Sequence, residues 1–123
     1  MALDPLSIDV QTTPDGSAQV FVLRGSMDIA TSPAVRGALV EAAERGQHDI
    51  IVDLTSVEFL DSTGLGALIG AHKRAKEHGG RVRLIAQEGQ ILRLLRITGL
   101  LGVFNVYHDL DSALAGEAPL VGL

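Results

Sequence analysis

Two hydroxyls and a carboxylate stand side by side at Asp61-Ser62-Thr63, with Gly64-Leu65-Gly66 directly after them. Leu65, Leu68, Ile69 and His72 fall at helical spacing, so the three polar residues sit where a loop becomes a helix. At such a point the first-turn N–H groups are unpaired and the helix dipole is positive, which makes an anion welcome. The simplest role for Asp61 or Ser62 is therefore an N-cap. The same position also suits a second role, because an exposed hydroxyl there can accept a phosphoryl group that the helix tolerates.

Three kinds of enzyme would use similar residues, and each lacks something. An aspartic-protease motif needs Asp-Ser/Thr-Gly with glycine two positions after the acid, plus a second copy in a larger β-rich chain; here the glycine is three positions on and the copy is absent. A dinucleotide fingerprint drawn through Gly64, Gly66 and Gly70 should follow directly on a strand and carry an acid about 20 residues later. The preceding strand is expected to end near Leu54, and residue 84 is a leucine. Close packing of a small-residue helix face on the sheet accounts better for these glycines. A phosphatase-like or metal-binding carboxylate set could be drawn from Asp28, Asp53 and Asp61, but no histidine, lysine or second acid stands at a fixed partner spacing. His48, His72, His78 and His108 form no ligand pair. No nucleophile, base and orienter can be assembled, so no catalytic residue, metal or cofactor is expected.

Composition narrows the partners. Ten basic against fifteen acidic residues give a net charge of −5, which opposes phosphate backbones and anionic lipid. Phe21, Phe59, Phe104 and Tyr107 are the only aromatics, too few for a base-stacking platform, so neither nucleic acid nor membrane is an expected partner. Lys73, Arg74 and Lys76, and Arg93 with Arg96, read as solvated helix faces. The chain has no cysteine, no basic run leading an apolar stretch, and nothing near the ~18 apolar residues that span a bilayer. A cytoplasmic protein is expected.

The elements that must position Ser62 can be read in order. Leu6, Ile8 and Val10 alternate with polar residues, Thr13-Pro14-Asp15-Gly16 gives turn chemistry, and Val20 to Leu23 resumes as a strand. Residues 25–31 read as irregular. Ser32-Pro33 then offers a cap and a first-turn proline for a helix reaching Gly46. Ile50-Ile51-Val52 is a continuous apolar run, the pattern of a strand covered on both faces at the centre of a sheet. A second helix is expected from Asp61-Ser62 to about His78, a strand over 82–86, a third helix over 90–98, a strand over 103–107, and a short helix capped by Asp109. Residues 116–123 are expected to fray. The order ββαβαβαβα implies one α/β domain over 1–123, with a mainly parallel mixed sheet of about five strands and helices mostly on one face.

The ordered set Gly25-Ser26-Met27-Asp28, Val52-Asp53-Leu54, Val57-Glu58-Phe59-Leu60-Asp61-Ser62-Thr63-Gly64-Leu65 and Thr98-Gly99-Leu100 resembles the STAS-domain anti-sigma-factor antagonists of bacteria. The likeness covers nearly the whole chain. It implies a stand-alone domain that binds an anti-sigma factor serine kinase so that a sigma factor is released. Phosphorylation of the serine after the aspartate ends that binding, and a separate phosphatase restores it. Carried over residue by residue, it makes Ser62 the phosphoacceptor and Asp61 a neighbour needed for recognition. Ser26, Met27, Asp28, Asp61, Ser62 and Thr63 become the partner-binding surface. Ser26 stands where the family often has an acid, and Thr63, where a second serine is frequent, is a minor candidate acceptor. The alternative is a STAS interaction module docked in a transporter or signalling scaffold, in which Ser62 would be optional.

Overall fold

The computed structural model describes residues 6–120. Five strands lie in the order β1-β2-β3-β4-β5, which is also their order in the chain. β1 (Ser7–Thr12) pairs antiparallel with β2 (Gln19–Met27), while β3 (Asp49–Leu60), β4 (Arg81–Ile85) and β5 (Val106–Tyr107) add in parallel. The hairpin between β1 and β2 is closed by its own side chains. Thr13 and Ala18 exchange bonds, and Asp15 Oδ1 accepts from the Ser17 N–H and from both the Thr13 and Ser17 hydroxyls.

Parallel strands need crossovers, and α1 (Ser32–Glu44), α2 (Ser62–Glu77) and α3 (Gln90–Ile97) supply them. Val35 and Leu39 of α1, Leu65, Leu68, Ala71 and Ala75 of α2, and Leu92 and Leu95 of α3 share one core with Phe21, Leu23, Ile50, Val52, Leu54 and Leu84 of the sheet. On the other face a smaller cluster of Ala18, Val20, Ile51 and Ile85 is covered partly by Leu110 of α4 (Leu110–Leu114). The run Ile50-Ile51-Val52 is buried on both faces and β3 is the middle strand, as its apolar pattern implied.

Four boundaries differ from the sequence reading. β3 does not stop near Leu54 but continues to Leu60, and β2 continues through residues 25–27, which had read as irregular. The two extensions pair with each other, from Gly25↔Val57 to Met27↔Leu60, across register shifts at Arg24 and Ser26. Gly25, at φ +112°, takes the backbone twist that the irregularity demands. The cap of α1 is Thr31 rather than Ser32, and Ser32 Oγ is buried without a hydrogen-bond partner among the described residues. The last strand shrinks to Val106–Tyr107 because Leu100–Gly102 forms a 3₁₀ turn before it. In the tail, the Leu120 N–H donates to the Val106 carbonyl at 2.8 Å; residues 121–123 lie outside the described ones.

Candidate functional site

The long pair of β2 and β3 delivers two loops to one rim of the sheet. Leu60 ends β3 beside Met27, the Asp61 N–H donates to the Met27 carbonyl at 3.2 Å, and α2 starts one residue later. Asp61 is the N-cap, in extended conformation, and its Oδ1 accepts from the Gly64 N–H at 3.0 Å and from the Thr63 hydroxyl. The hydroxyl bond from Thr63, followed by the Gly64 amide, holds the Asp61 carboxyl below its ordinary value, so it is ionised at neutral pH.

Gly64 is required here by close approach. A Cβ at this position would meet Leu60 Cδ1 at 2.4 Å and the Met27 Cβ and carbonyl oxygen at 3.1 Å. The first turn of α2 therefore rests directly on the ends of β2 and β3. Ser62, at the first helical position, points outward. It is exposed, and no hydrogen bond to its hydroxyl forms within the described residues. Thr63 is exposed as well, but its hydroxyl is committed to Asp61.

The neighbouring loop is fixed by Asp28 and Thr31. Asp28 Oδ1 accepts from the Ala30 and Thr31 N–H groups at 2.9 and 3.0 Å and from the Thr31 hydroxyl; the Asp28 N–H in turn donates to Thr31 Oγ1. Thr31 Oγ1 also donates to the Ser26 carbonyl at 2.7 Å. Asp28 is thus half-buried and organises the loop instead of standing on it as a free surface charge. Met27, expected on the partner-facing surface, is corrected to the core: its side chain is 0% exposed and lies under the first turn of α2. Ser26 is half-buried at the rim beside Phe59.

Two residues that the sequence did not single out complete the rim. Ile29 and Phe59 are 77% and 53% exposed, large apolar side chains flanking the start of α2. Phe59 has the same parity as buried Val57, and it is the register shift between Gly25↔Val57 and Ser26↔Phe59 that turns it outward. A shallow groove lined by Ile29, Pro33, Arg36, Thr63 and Ala67 runs back from the rim between α1 and α2. The dinucleotide reading fails for a reason other than the one given by the pattern. β3 does lead into α2, but Gly64 is packed from below, Gly66 faces open space and Gly70 lies against the Arg36 side chain. Among the described residues no group of three potential ligands forms a metal site, and Asp28, Asp53 and Asp61 are not brought together as one. No helix among them is long and apolar enough to cross a membrane.

A mixed, mainly parallel sheet crossed over by helices on one main face, with an acid-capped helix presenting an exposed serine at its rim, defines a small α/β domain. Residues 7–113 match the STAS domain family, and the chain belongs to it. It is 34% identical over 101 residues to the anti-sigma-B factor antagonist of Bacillus subtilis, an alignment covering 82% of this chain and 90% of that one. The anti-sigma-B factor antagonist of Staphylococcus aureus is 29% identical over 82% of this chain and 94% of its own. The crystal structure of an anti-sigma factor antagonist from Mycobacterium paratuberculosis superposes with a TM-score of 0.82 at 28% identity, covering 93% of this chain and 95% of that one.

Proposed function

We propose that this protein is an anti-sigma-factor antagonist whose binding surface is the rim around Ser62, switched off when an anti-sigma factor serine kinase phosphorylates that serine. The observation that carries the reading is the pair Asp61 and Ser62. An exposed hydroxyl, free of internal hydrogen bonds, stands at the first position of α2 beside a carboxylate locked in place as the cap. Thr63 is the poorer acceptor because its hydroxyl is already spent on Asp61. The likeness to named antagonists over most of the chain supports the same reading. The domain acts by binding, with no catalytic step or cofactor of its own; Ile29 and Phe59 supply apolar contact, and a separate phosphatase resets Ser62.

The physics of the switch follows from where the added charge is felt. Phosphate brings about −1.5 to −2 charges. In the free domain it meets the positive end of α2, which favours an anion by ~0.3–1 kcal/mol. In the complex the same charge is forced into a partly desolvated contact beside ionised Asp61, where like charges cost several kcal/mol. A hundredfold loss of affinity needs only about 2.7 kcal/mol. The interface effect therefore dominates.

Incubation with the cognate kinase and ATP should add one phosphate, mapped to Ser62 by peptide mass spectrometry. Ser62→Ala should retain kinase binding and Ser62→Asp should weaken it. The phosphorylated form should lose binding at least a hundredfold with an unchanged or slightly raised melting temperature. Phosphate found chiefly on Thr63, Ser56 or Ser32, or equal affinities of the two variants, would sink the assignment.

A further inference from the structure

The opposite rim of the sheet holds a feature that the antagonist reading leaves unused. β5 pairs with β4 only at Leu84 and Ile85, so the outer edge of β4 from Arg81 to Arg83 has no strand beside it. An open edge exposes unpaired backbone polar groups. Here the outward Val82 N–H is met at 3.1 Å by His72 Nδ1 from α2. That bond makes Nδ1 the acceptor and leaves the imidazole proton on Nε2, a donor. The ring is half-buried and packs on Phe104 at 5.0 Å, which fixes its orientation.

Around this edge lies a groove of about 280 Å³ lined by His72 and Lys76 of α2, Arg81 and Arg83 of β4, and Val103 and Asn105 of the loop before β5. No acidic residue lines it, in a chain of net charge −5. Asp49 is the acid paired with both arginines. Its carboxylate is taken by buried Arg83 in two bonds at 3.0 and 2.6 Å, which leaves Arg81 only a 3.7 Å contact. Lys76 has no ion-pair partner among the described residues. Three cations against one carboxylate leave an excess of two positive charges at the groove. Lys76 and Arg81 are exposed, so the charge is presented to solvent and is not buried in structure.

We propose that this groove binds a small organic anion. Its carboxylate or phosphate head is held by Arg81, Lys76 and the His72 Nε2–H, with Asn105 as a further donor and Val103, 49% exposed, against its body. Arg81 offers the planar fork that fits an oxyanion, and Lys76 a mobile point charge. The volume lies just below the usual range for ligand pockets, which fits a metabolite-sized anion. The site is far from the Ser62 rim, at the other end of α2, and does not depend on how that rim is used.

The test is a titration of the full chain with inorganic phosphate and with citrate, followed by backbone amide spectra at constant ionic strength set with sodium chloride. Saturable shifts should be confined to His72, Lys76, residues 80–83 and Asn105, with citrate binding more tightly than phosphate. The double variant Lys76→Gln/Arg81→Gln should lose at least tenfold in citrate affinity, about 1.4 kcal/mol, with an unchanged melting temperature. Asn105→Ala should lose two- to threefold, which tests the groove even if the double variant fails to fold. Non-saturable shifts matched by chloride, shifts centred on Ser62 to Gly64, or full affinity in these variants would overturn the proposal.

Discussion

The two ends of α2 are built in opposite ways. At the N-terminal end the Asp61 carboxylate is fixed within three residues, by the Thr63 hydroxyl and the Gly64 amide, and only its backbone N–H reaches across the sheet, to the Met27 carbonyl. At the C-terminal end the groove depends on groups distant in sequence. His72 reaches Val82, Asp49 reaches Arg83 across 34 residues, and Arg83 donates to the Ala113 carbonyl. A short-range cap survives small movements of the sheet, while a groove assembled from α2, β4 and a loop exists only when all three are in place. The first arrangement suits a residue that must be offered to another protein; the second suits a pocket.

The strongest way to break this contrast is at Asp49. Replacing it with alanine leaves the Arg83 guanidinium, 5% exposed, without its counter-charge, and loss of one partner of such a pair costs about 3 kcal/mol. Urea denaturation should show that loss, while amide shifts at Asp61 to Leu65 stay small. Large shifts at the Ser62 rim would mean that the two ends are coupled.

Glycine substitutions in the first two turns of α2 sharpen the local side of the comparison. Gly64→Ala drives a Cβ into Leu60 and Met27 and should destabilise by about 1–2 kcal/mol, because the crowded neighbours include backbone. Gly66→Ala meets nothing within 4 Å and should stabilise by up to about 1 kcal/mol through helix propensity. Thermal melts that rank the two the other way would show that the helix start is not resting on β2 and β3.

Asp61→Asn keeps the shape of the cap but removes its charge, and should lower the melting temperature by a few degrees at pH 7. The carboxyl's lowered folded value fixes the sign: its stabilisation is present above the ordinary value of 3.8 and is lost as pH falls through the folded one. Wild type and Asp61→Asn should therefore converge in acid. If the gap between their melting temperatures does not narrow at all as pH is lowered step by step below 3.8, the cap acts through something other than its charge.

The smallest effect is expected at His72. Burial, and then the Lys76 charge, lower its imidazole below 6.5, so the folded state binds fewer protons than the unfolded chain. Stability should fall as pH drops through about 6.5 and level off below the folded value. His72→Phe should flatten melting temperature against pH in that window. An unchanged slope would remove His72 from the edge of β4 as a titrating group.

Sequence was enough where the signal is local. The helix beginning at Ser62, the Asp109 cap, the turn at Thr13 to Gly16 and the doubly buried strand at Ile50 to Val52 all follow from neighbours within a few residues. The adjacency of Asp61 and Ser62 was legible for the same reason. What the pattern could not reach lies across the sheet. Residues 25–27 and 55–60 are strand because each extension hydrogen-bonds the other, and neither has the alternation to announce itself. The same extension buries Met27, which a local reading placed on the surface, and exposes Phe59. α1 starts at Ser32, one residue earlier than a Ser32 cap would allow, and the Thr31 hydroxyl at the cap position is bonded to Ser26 and Asp28 and closes the loop instead of capping the helix.

The chain by itself therefore determined the order of its main strands and helices and the placement of Asp61 and Ser62 at the start of α2, since periodicity, capping and charge act over a turn or a strand's alternation. Only the tertiary structure decided which side chains share the rim with Ser62, and that His72, Lys76 and Arg81 meet around an open strand edge. Those meetings depend on register and crossover geometry, which join residues that are far apart in sequence and carry no mark of one another there.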